Sequence, residues 1–124
     1  MSLVRIYVHC VWTTKYREPV LTTGVRTKLF AHIRDNAKVK GVKIDCLNGY
    51  FDHIHVLLAL APEQSVAQVV KLIKGESTFW LNKKKLLPEP FRWQRQFFAE
   101  SVSPKHLSGL RRYIKNQVKH HSNT

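Results

Sequence analysis

Apolar and polar side chains alternate along the first part of the sequence. A half-buried β-strand has this period of two, because successive side chains point to opposite faces. The pattern predicts a first strand over residues 3–12, followed by a basic loop over residues 13–22. The predicted core face of this strand consists of Val4, Ile6, Val8, Cys10 and Trp12.

The middle of the chain changes from a helical to an extended period. Apolar residues at helical spacing predict a helix over residues 23–40, and Gly41 is a typical residue at which a helix ends. Two further strands are predicted over residues 42–49 and 52–60, with a short connection around Tyr50.

The second half of the chain contains a helix, a strand and a final helix. Ser65 is a suitable cap for a helix that reaches about Leu81. A proline-rich loop then leads to a strand predicted over residues 92–102. The last helix is predicted from Pro104 to about His120. The first six elements match the ferredoxin-like (RRM-like) βαββαβ arrangement, an α+β fold with an antiparallel sheet, here followed by a C-terminal helix.

Length and composition favour one globular domain. The chain has 124 residues, of which 44% are hydrophobic, and no apolar run is long enough to cross a membrane. We expect a single domain over residues 1–124, with a core over 1–102 and a C-terminal helix over 103–121. The N-terminus lacks the pattern of a signal peptide, and two distant cysteines suit a reducing cytoplasm, where we expect the protein to reside.

The charge points to a polyanionic partner. Lys and Arg number 21 against 8 for Asp and Glu, which gives a net charge of +13. Nucleic acid is the expected partner. An acidic membrane surface is the competing partner, but no segment resembles a basic amphipathic surface helix. A small-molecule substrate is not expected. The candidate DNA contacts are Lys15, Arg17, Lys71, Lys74, Arg92, Arg95, Arg111 and Arg112.

His53 and His55 form the sharpest chemical feature of the sequence. Residues two apart in a strand face the same way, so both imidazoles project from one face while Ile54 projects into the core. Two neighbouring imidazoles are a half-site for a divalent cation. The alternative is a pair of partly buried histidines with satisfied hydrogen bonds. Asp52 and His9 are candidates for neighbouring residues that orient the ligands.

The last predicted helix adds Tyr113 and Gln117, four residues apart on one flank of an apolar stripe. A tyrosine there can pack its ring and expose its hydroxyl, and a carboxamide oxygen can complete a metal site beside two histidines. The alternative is an amphipathic tyrosine beside a surface glutamine. The predicted stripe consists of Leu107, Leu110, Ile114 and Val118.

Several motifs occur together in a recognisable order. They are TKYREPVL at 14–21, DHIHVLL at 52–58, KGES at 74–77, Trp93 with FFAESV at 97–102, and Tyr-Ile-x-x-Gln at 113–117. Over about residues 8–118, this order resembles the single-tyrosine HUH transposases of the insertion sequence 200/605 group, the IS200-like transposases.

The resemblance implies a role for each matching residue. His53, His55 and Gln117 would hold Mg²⁺ or Mn²⁺, and Tyr113 would be the nucleophile that forms a 5′-phosphotyrosine. The substrate would be single-stranded DNA with hairpin ends, and the active form a homodimer. The sequence leaves open whether Arg111, Arg112 or the metal activates the tyrosine, and whether the site assembles within one subunit or between two.

Two other functions remain open at this point. The chain could be a domesticated repeat-associated tyrosine nuclease, which can act as a monomer. It could also be a non-catalytic RNA- or DNA-binding ferredoxin-like module. The intact set of His53, His55, Tyr113 and Gln117 favours a catalytic protein over the binding module.

Overall fold

The computed structural model describes residues 3–122 of the chain, with side chains described up to residue 119. The predicted order of elements is confirmed up to the last helix, which is divided in two. The elements are β1 (Ile6–Thr13), α1 (Thr23–Val39), β2 (Lys43–Gly49), β3 (His53–Leu60), α2 (Val66–Lys84), β4 (Phe98–Val102), α3 (Leu107–Lys115) and α4 (Gln117–Ser122). Short 3₁₀ turns occupy Lys15–Arg17 and Pro104–His106.

The four strands form one antiparallel sheet in the order β2-β3-β1-β4. This order, with one helix after β1 and one after β3, confirms the predicted α+β fold and its βαββαβ arrangement. The central strands β1 and β3 pair along their full lengths, from Ile6 opposite Leu60 to Thr13 opposite His53. The end of β1 therefore lies beside the beginning of β3.

The sheet separates a large core from a smaller one. Ile54, Val56 and Leu58 are fully buried in the cluster that also receives the apolar faces of α1 and α2. On the opposite face, Leu57 packs with residues of α3 in a second cluster. His53 and His55 lie on that second face because they alternate with the core residues of β3.

The beginnings and ends of the first two helices follow the predicted signals. The Ser65 hydroxyl accepts a hydrogen bond from the Gln68 amide at 3.1 Å, so it caps α2 as predicted. Gly41 adopts φ +71° just after α1, a conformation that glycine adopts without strain. Helix α2 extends to Lys84, one turn beyond the predicted end. Within residues 3–122, no helix is both long and apolar enough to span a membrane.

The N-terminal end of the first strand differs from the prediction. β1 begins at Ile6 instead of residue 3. Val4 and Ile6 were predicted on the core face, but they are 37% and 43% exposed. Val4 precedes the sheet, and Ile6 lies at its end. Val8, Cys10 and Trp12 are buried as predicted.

The predicted strand over 92–102 is wrong in its first half, because β4 contains only Phe98–Val102. Trp93 is instead drawn into the core against α2, where its indole Nε1 donates to the Ser77 hydroxyl at 2.8 Å. The Lys74 ammonium donates to the carbonyls of residues 94 and 95 at 2.6 and 2.9 Å. These contacts hold the segment before β4 on α2, while an isolated antiparallel bridge pairs Trp93 with Thr14 just beyond the end of β1.

The predicted continuous last helix is also wrong, because it is interrupted at Asn116 (φ −100°, ψ 24°). The Asn48 side-chain amide, on β2, donates to the carbonyls of Ile114 and Lys115 at 2.9 and 3.0 Å. Carbonyls in the last turn of a helix lack intrahelical partners, so this amide stabilises the end of α3. Val118 was predicted in the buried stripe but is 45% exposed, whereas Gln117 is fully buried.

Candidate active site

The two histidines of β3 lie side by side at the beginning of the strand, on the same face, as the period of two predicts. His53 and His55 are each 5% exposed, and their ring centroids are 5.1 Å apart. They face the α3 side of the sheet, on the side away from the large core. The strand thus presents two imidazoles on a rigid, paired backbone.

Asp52 orients the first imidazole. Its Oδ1 lies 2.7 Å from Nδ1 of His53, and its Oδ2 accepts a hydrogen bond from Nε of Arg17 at 3.2 Å. Burial raises the pKa of the Asp52 carboxyl, but the hydrogen bonds from His53 and Arg17 and the electrostatic interactions with them outweigh burial, so the pKa is lowered. Asp52 is therefore an anion at neutral pH that accepts the Nδ1 proton of His53. The predicted orienting contact is present.

His9 orients the second imidazole. Nε2 of His9 lies 2.9 Å from Nδ1 of His55, and the two rings are stacked at 14°. Burial lowers the pKa of His9, and the Glu100 carboxylate, which faces it across β1 and β4, opposes this only in part. A neutral His9 can accept the Nδ1 proton of His55 at Nε2. This tautomer leaves the lone pair of His55 on Nε2.

Gln117 and Tyr113 close the site from the C-terminal side. The Gln117 amide nitrogen donates to the Tyr113 carbonyl at 3.2 Å, which directs Oε1 of the glutamine toward Nε2 of His53, 3.3 Å away. The Tyr113 ring lies edge-on to His55, with centroids 5.7 Å apart, and remains 45% exposed. The structure therefore brings together all four residues named as ligands and nucleophile.

The donor atoms of this cluster suit a divalent cation. Because Asp52 accepts the Nδ1 proton of His53, a neutral ring directs its Nε2 lone pair at the oxygen of Gln117. Two lone pairs that converge in a buried space require a proton or a metal ion between them. Their 3.3 Å separation is close to the about 3.0 Å between adjacent ligands of an octahedral ion with ~2.1 Å bonds.

Gln117 offers an amide oxygen as a candidate third donor beside the two imidazoles. Among the described residues, no group of three or more His, Cys, Asp and Glu side chains could hold a metal ion. Gln117, whose Oε1 lies 3.3 Å from Nε2 of His53, is the candidate third ligand beside His53 and His55. Imidazole and amide ligands carry no negative charge, so an ion held here keeps its full charge for an anionic substrate.

Helix α3, which carries Tyr113, is attached to β2 by an ion pair. Arg111 donates from Nε and Nη2 to the two carboxylate oxygens of Asp45 at 2.8 and 2.7 Å. The hydrogen bonds of Asp45 raise the pKa of Arg111. Asp45 lies at a register shift between Ile44 and Cys46, and a β-bulge of this kind redirects a side chain. Arg111, a candidate for DNA contact or for activating the tyrosine, thus pairs with Asp45.

The predicted DNA contacts divide into three groups. Lys15, Lys71, Lys74, Arg92 and Arg95 line one groove of about 600 Å³ between α2 and the segment before β4. Trp93 and Phe97 also line this groove, which we call the basic groove. Arg17 and Arg111 instead form ion pairs with Asp52 and Asp45. Arg112 is exposed on α3.

The basic groove includes one lysine that is already engaged. Burial lowers the pKa of Lys74, whose ammonium donates to the carbonyls of residues 94 and 95. Lys74 therefore shapes the groove wall, whereas Lys71, Arg92 and Arg95 have exposed side chains that can reach a phosphate.

Sequence reasoning missed three contributors. The Arg111–Asp45 pair and the Asn48 contact join residues 66 to 67 positions apart, and no local pattern indicates them. Glu100 was assigned no role, but it lies opposite His9 in the pairing of β1 with β4. The predicted polar face of β1 indicates that a residue on a neighbouring strand faces His9, but it does not indicate which strand.

A comparison with known families decides what this arrangement belongs to. The family described as IS200-like transposase matches residues 2–117, which include both histidines, the tyrosine and the glutamine of the site. The chain belongs to the IS200-like transposase family. The resemblance predicted from the motifs is therefore confirmed.

Named transposases support this family assignment. The ISDra2 transposase TnpA of Deinococcus radiodurans is 29% identical over 114 residues, covering 88% of this chain and 81% of the relative. The transposase for insertion sequence element IS200 of Salmonella typhimurium is 28% identical over 116 residues, covering 89% and 75%. Both matches span most of the IS200-like chain and of its relatives.

Solved structures resemble the IS200-like fold along the same length. A crystal structure of a protein from Deinococcus radiodurans assigned as a transposase superposes with a TM-score of 0.75 at 28% identity, covering 94% of this chain and 93% of that one. A REP-associated tyrosine transposase, solved bound to a REP hairpin, superposes with a TM-score of 0.69 at 19% identity, covering 97% and 71%. The second likeness shows the fold.

Proposed function

We propose that this transposase cleaves and rejoins single-stranded DNA through a covalent bond to Tyr113, in a reaction that depends on a divalent metal. The observation that carries the proposal is the packing of the half-exposed Tyr113 ring against His55, within a cluster of buried donor atoms. Transposase family membership supports the same reaction class.

The reaction balances without an added energy source. The phenolic oxygen of Tyr113 attacks the phosphorus, the bond from phosphorus to the 3′ oxygen breaks, and the phenol proton is released as the leaving oxygen becomes a 3′-hydroxyl. The product is a 5′-phosphotyrosine, which keeps the energy of the phosphodiester bond. A free 3′-hydroxyl can reverse the step and join a new pair of ends.

The metal would be held by His53, His55 and Gln117, with Asp52 and His9 fixing the two imidazoles. Bound there, Mg²⁺ or Mn²⁺ would supply Lewis-acid stabilisation of the phosphate charge and of the leaving oxygen. Because β3 is paired on both sides, it fixes the two imidazoles, so little reorganisation of His53 and His55 is required when the ion and the DNA bind.

The basic groove supplies a surface for the DNA strand. The groove lies on the α2 side of the sheet, while the histidines face α3. Lys15 lines the groove and follows the end of β1, where Thr13 pairs with His53. One structural relative is described as bound to a REP hairpin, which supports a hairpin-bearing substrate for this chain. The groove would hold phosphates, and affinity would fall as salt rises.

The proposed active form is a homodimer. β4 is an edge strand of the described sheet, and its Phe98 is 52% exposed. An exposed apolar edge strand can pair with a second copy. The site described above is formed by residues of one chain, so a dimer that exchanges α3 would have to break the Arg111–Asp45 pair first.

The decisive experiment detects a covalent protein–DNA adduct. Labelled hairpin oligonucleotides from the DNA that flanks the coding sequence are incubated with protein and Mn²⁺ and separated on a denaturing protein gel. We expect a label-bearing band that disappears with EDTA, with His53→Ala and with Tyr113→Phe. Tyr50→Phe is the matched control because its ring is 6.4 Å from that of His53, and this variant should keep the band.

The other outcomes separate the competing functions. An adduct that persists in Tyr113→Phe would retain the enzyme class and remove this tyrosine as nucleophile. Tight binding without an adduct on any flanking hairpin would contradict cleavage and favour the non-catalytic binding module, which the net charge of +13 also suits. An adduct formed by a protein that remains a monomer would favour the repeat-associated nuclease.

A further inference from the structure

The turn that follows β1 holds an aromatic side chain in solvent. Tyr16 is 79% exposed, and its backbone is left-handed (φ 58°, ψ 17°), as is that of Arg17 (φ 54°). Two successive non-glycine residues in this region cost conformational free energy, and such strain concentrates at functional sites. Neither the core nor the metal site uses the Tyr16 ring.

The surrounding structure fixes this strained turn firmly. Thr14 is buried, its hydroxyl donates to the Glu18 carbonyl at 2.7 Å, and its amide donates to the Asp52 carbonyl at 2.9 Å. The Lys15 amide donates to the Arg92 carbonyl at 3.0 Å. The turn is thus fastened to the start of β3 and to the segment before β4. The backbone that carries the Tyr16 ring is therefore held in place relative to both segments.

Beside Tyr16 lies a cleft of about 300 Å³, at the lower end of the ~300–1,000 Å³ typical of small-ligand pockets. Its apolar wall comes from Leu87, Pro88 and Pro90. An aromatic ring opposite a proline-rich wall is suited to a planar, uncharged group. A size of this order fits one base and excludes a paired duplex.

Two cations connect this cleft to the basic groove. Lys15 and Arg92 line both cavities, so a strand whose phosphates follow the groove passes the mouth of the cleft. The Lys15 ammonium also lies 5.4 Å from the centroid of the Tyr16 ring. A cation on one side of the ring leaves its other side for stacking, the contact that single-strand binders use for bases.

The polar groups of the cleft select among bases. Glu18 and Glu89 line it, and within residues 3–122 neither carboxylate forms an ion pair. Carboxylates repel phosphates but accept hydrogen bonds from exocyclic amino groups, such as N4 of cytosine. Thymine carries the oxygen O4, an acceptor, at the position of cytosine N4, so it has no exocyclic amino group to donate and its one base donor is N3–H.

We propose that the cleft between Tyr16 and the Leu87–Pro90 segment binds one unpaired base of the DNA strand, stacked on the Tyr16 ring, and prefers cytosine to thymine. This proposal rests on the proposed function for its ligand, single-stranded DNA. The turn that carries Tyr16 is joined to the metal site through Arg17 and Asp52, so a base held there places the strand relative to His53.

The test uses DNA strands made of one repeated nucleotide, so that the base in the cleft is the same wherever the protein binds along the strand. The full chain, in EDTA to prevent cleavage, is titrated with dC and dT homopolymers and with a base-free abasic strand, each of about 12 nucleotides. Tyr16→Ala should weaken dC binding about 5- to 100-fold and leave the abasic strand unchanged, while Tyr16→Phe keeps wild-type affinity. Wild type should bind dC several-fold tighter than dT, and the double variant Glu18→Ala/Glu89→Ala should remove that ratio.

Phe79 provides the matched control. It is 61% exposed and has Lys83 over its ring at 5.7 Å, but it lies on α2 outside the cleft. Phe79→Ala should leave all three affinities unchanged. An equal loss of dC and abasic binding in Tyr16→Ala, or no loss, would overturn the stacking site. Equal affinity of wild type for dC and dT would overturn the preference for cytosine.

Measuring the Tyr113–DNA adduct with the same proteins tests the proposed function separately from the base-binding cleft. A wild-type adduct together with base-independent binding would overturn the cleft alone. Base-dependent binding through Tyr16 without an adduct on any substrate would support the cleft and contradict strand cleavage. Absence of binding to all three probes would overturn the cleft, and absence of the adduct on every hairpin would contradict the proposed function.

Discussion

Replacing His9 with leucine tests whether this residue fixes the imidazole of His55. The change removes an acceptor 2.9 Å from His55 Nδ1 and keeps an apolar side chain on β1. A net hydrogen bond is worth about 0.5–1.5 kcal/mol, or roughly 2- to 12-fold. Loss of a partner that orients a metal ligand usually costs about 10- to 100-fold in affinity. The hydrogen-bond range and the metal-ligand range overlap at about tenfold, so we expect His9→Leu to bind Mn²⁺ about tenfold more weakly.

The assay is calorimetric titration with Mn²⁺, checked by electron paramagnetic resonance of the free ion. His9→Gln should recover most of the affinity because its amide oxygen can accept the same proton. His32→Leu is the control: His32 bonds to Glu76 and stacks on Trp80 between α1 and α2. It should lower the melting temperature without changing Mn²⁺ affinity. Wild-type affinity in His9→Leu would refute the orienting role, as would a His9→Gln protein no tighter than His9→Leu.

Three further predictions concern stability, backbone packing and charge. Ser77→Ala should lower the free energy of unfolding by about 1–3 kcal/mol in denaturant titrations, because it leaves the buried Trp93 indole without its acceptor; a loss equal to that of an exposed serine would contradict this. Gly49→Ala should lower the free energy of unfolding by about 1–3 kcal/mol and weaken Mn²⁺ binding, because a Cβ there meets the backbone carbonyl of His53. Unchanged Mn²⁺ binding would show that the strand relaxes without moving His53. Lys71→Ala should lower the slope of log affinity against log salt by about 0.7–0.9 for single- or double-stranded DNA, and an unchanged slope would place the phosphates outside the basic groove.

The parts of the fold that follow from local periodicity were predictable. The alternation in β3 separated Ile54 from His53 and His55 correctly, because a strand has only two faces. The caps at Ser65 and Gly41 act through their immediate neighbours, and both occur as predicted. The motif order was specific enough to give the family.

The errors arose where distant residues override local pattern. Trp93 lies in a stretch with strand-like composition, but its indole is buried in the core and donates to Ser77 on α2. Strand β4 therefore begins only at Phe98. Nothing near Asn116 indicates that Asn48 ends α3, since the two lie on different elements. The ion pair of Arg111 depends on a bulge that no composition rule identifies.

The site was predictable in its residue types and unpredictable in its connections. The sequence predicts His53, His55, Tyr113 and Gln117 as candidate site residues, and the fold brings them together. The break in the last helix explains how: because the chain turns at residue 116, Gln117 points inward while the tyrosine stays half exposed. An unbroken helix would have left both side chains on the same flank.

The contacts that attach α3 to the sheet determine how easily this helix can separate from it. The helix is held by the Arg111–Asp45 pair, by the Asn48 amide at its end and by a small apolar cluster of Leu107, Ile114 and their neighbours. Water can replace the polar contacts at little cost when they open, whereas a large apolar interface would resist opening. Tyr113, the proposed nucleophile, therefore lies on a helix whose polar attachments to β2 can open. If DNA is bonded to Tyr113 as proposed, opening these contacts would carry the severed end away while the proposed metal ligands His53 and His55 stay behind on β3, ready for the next strand.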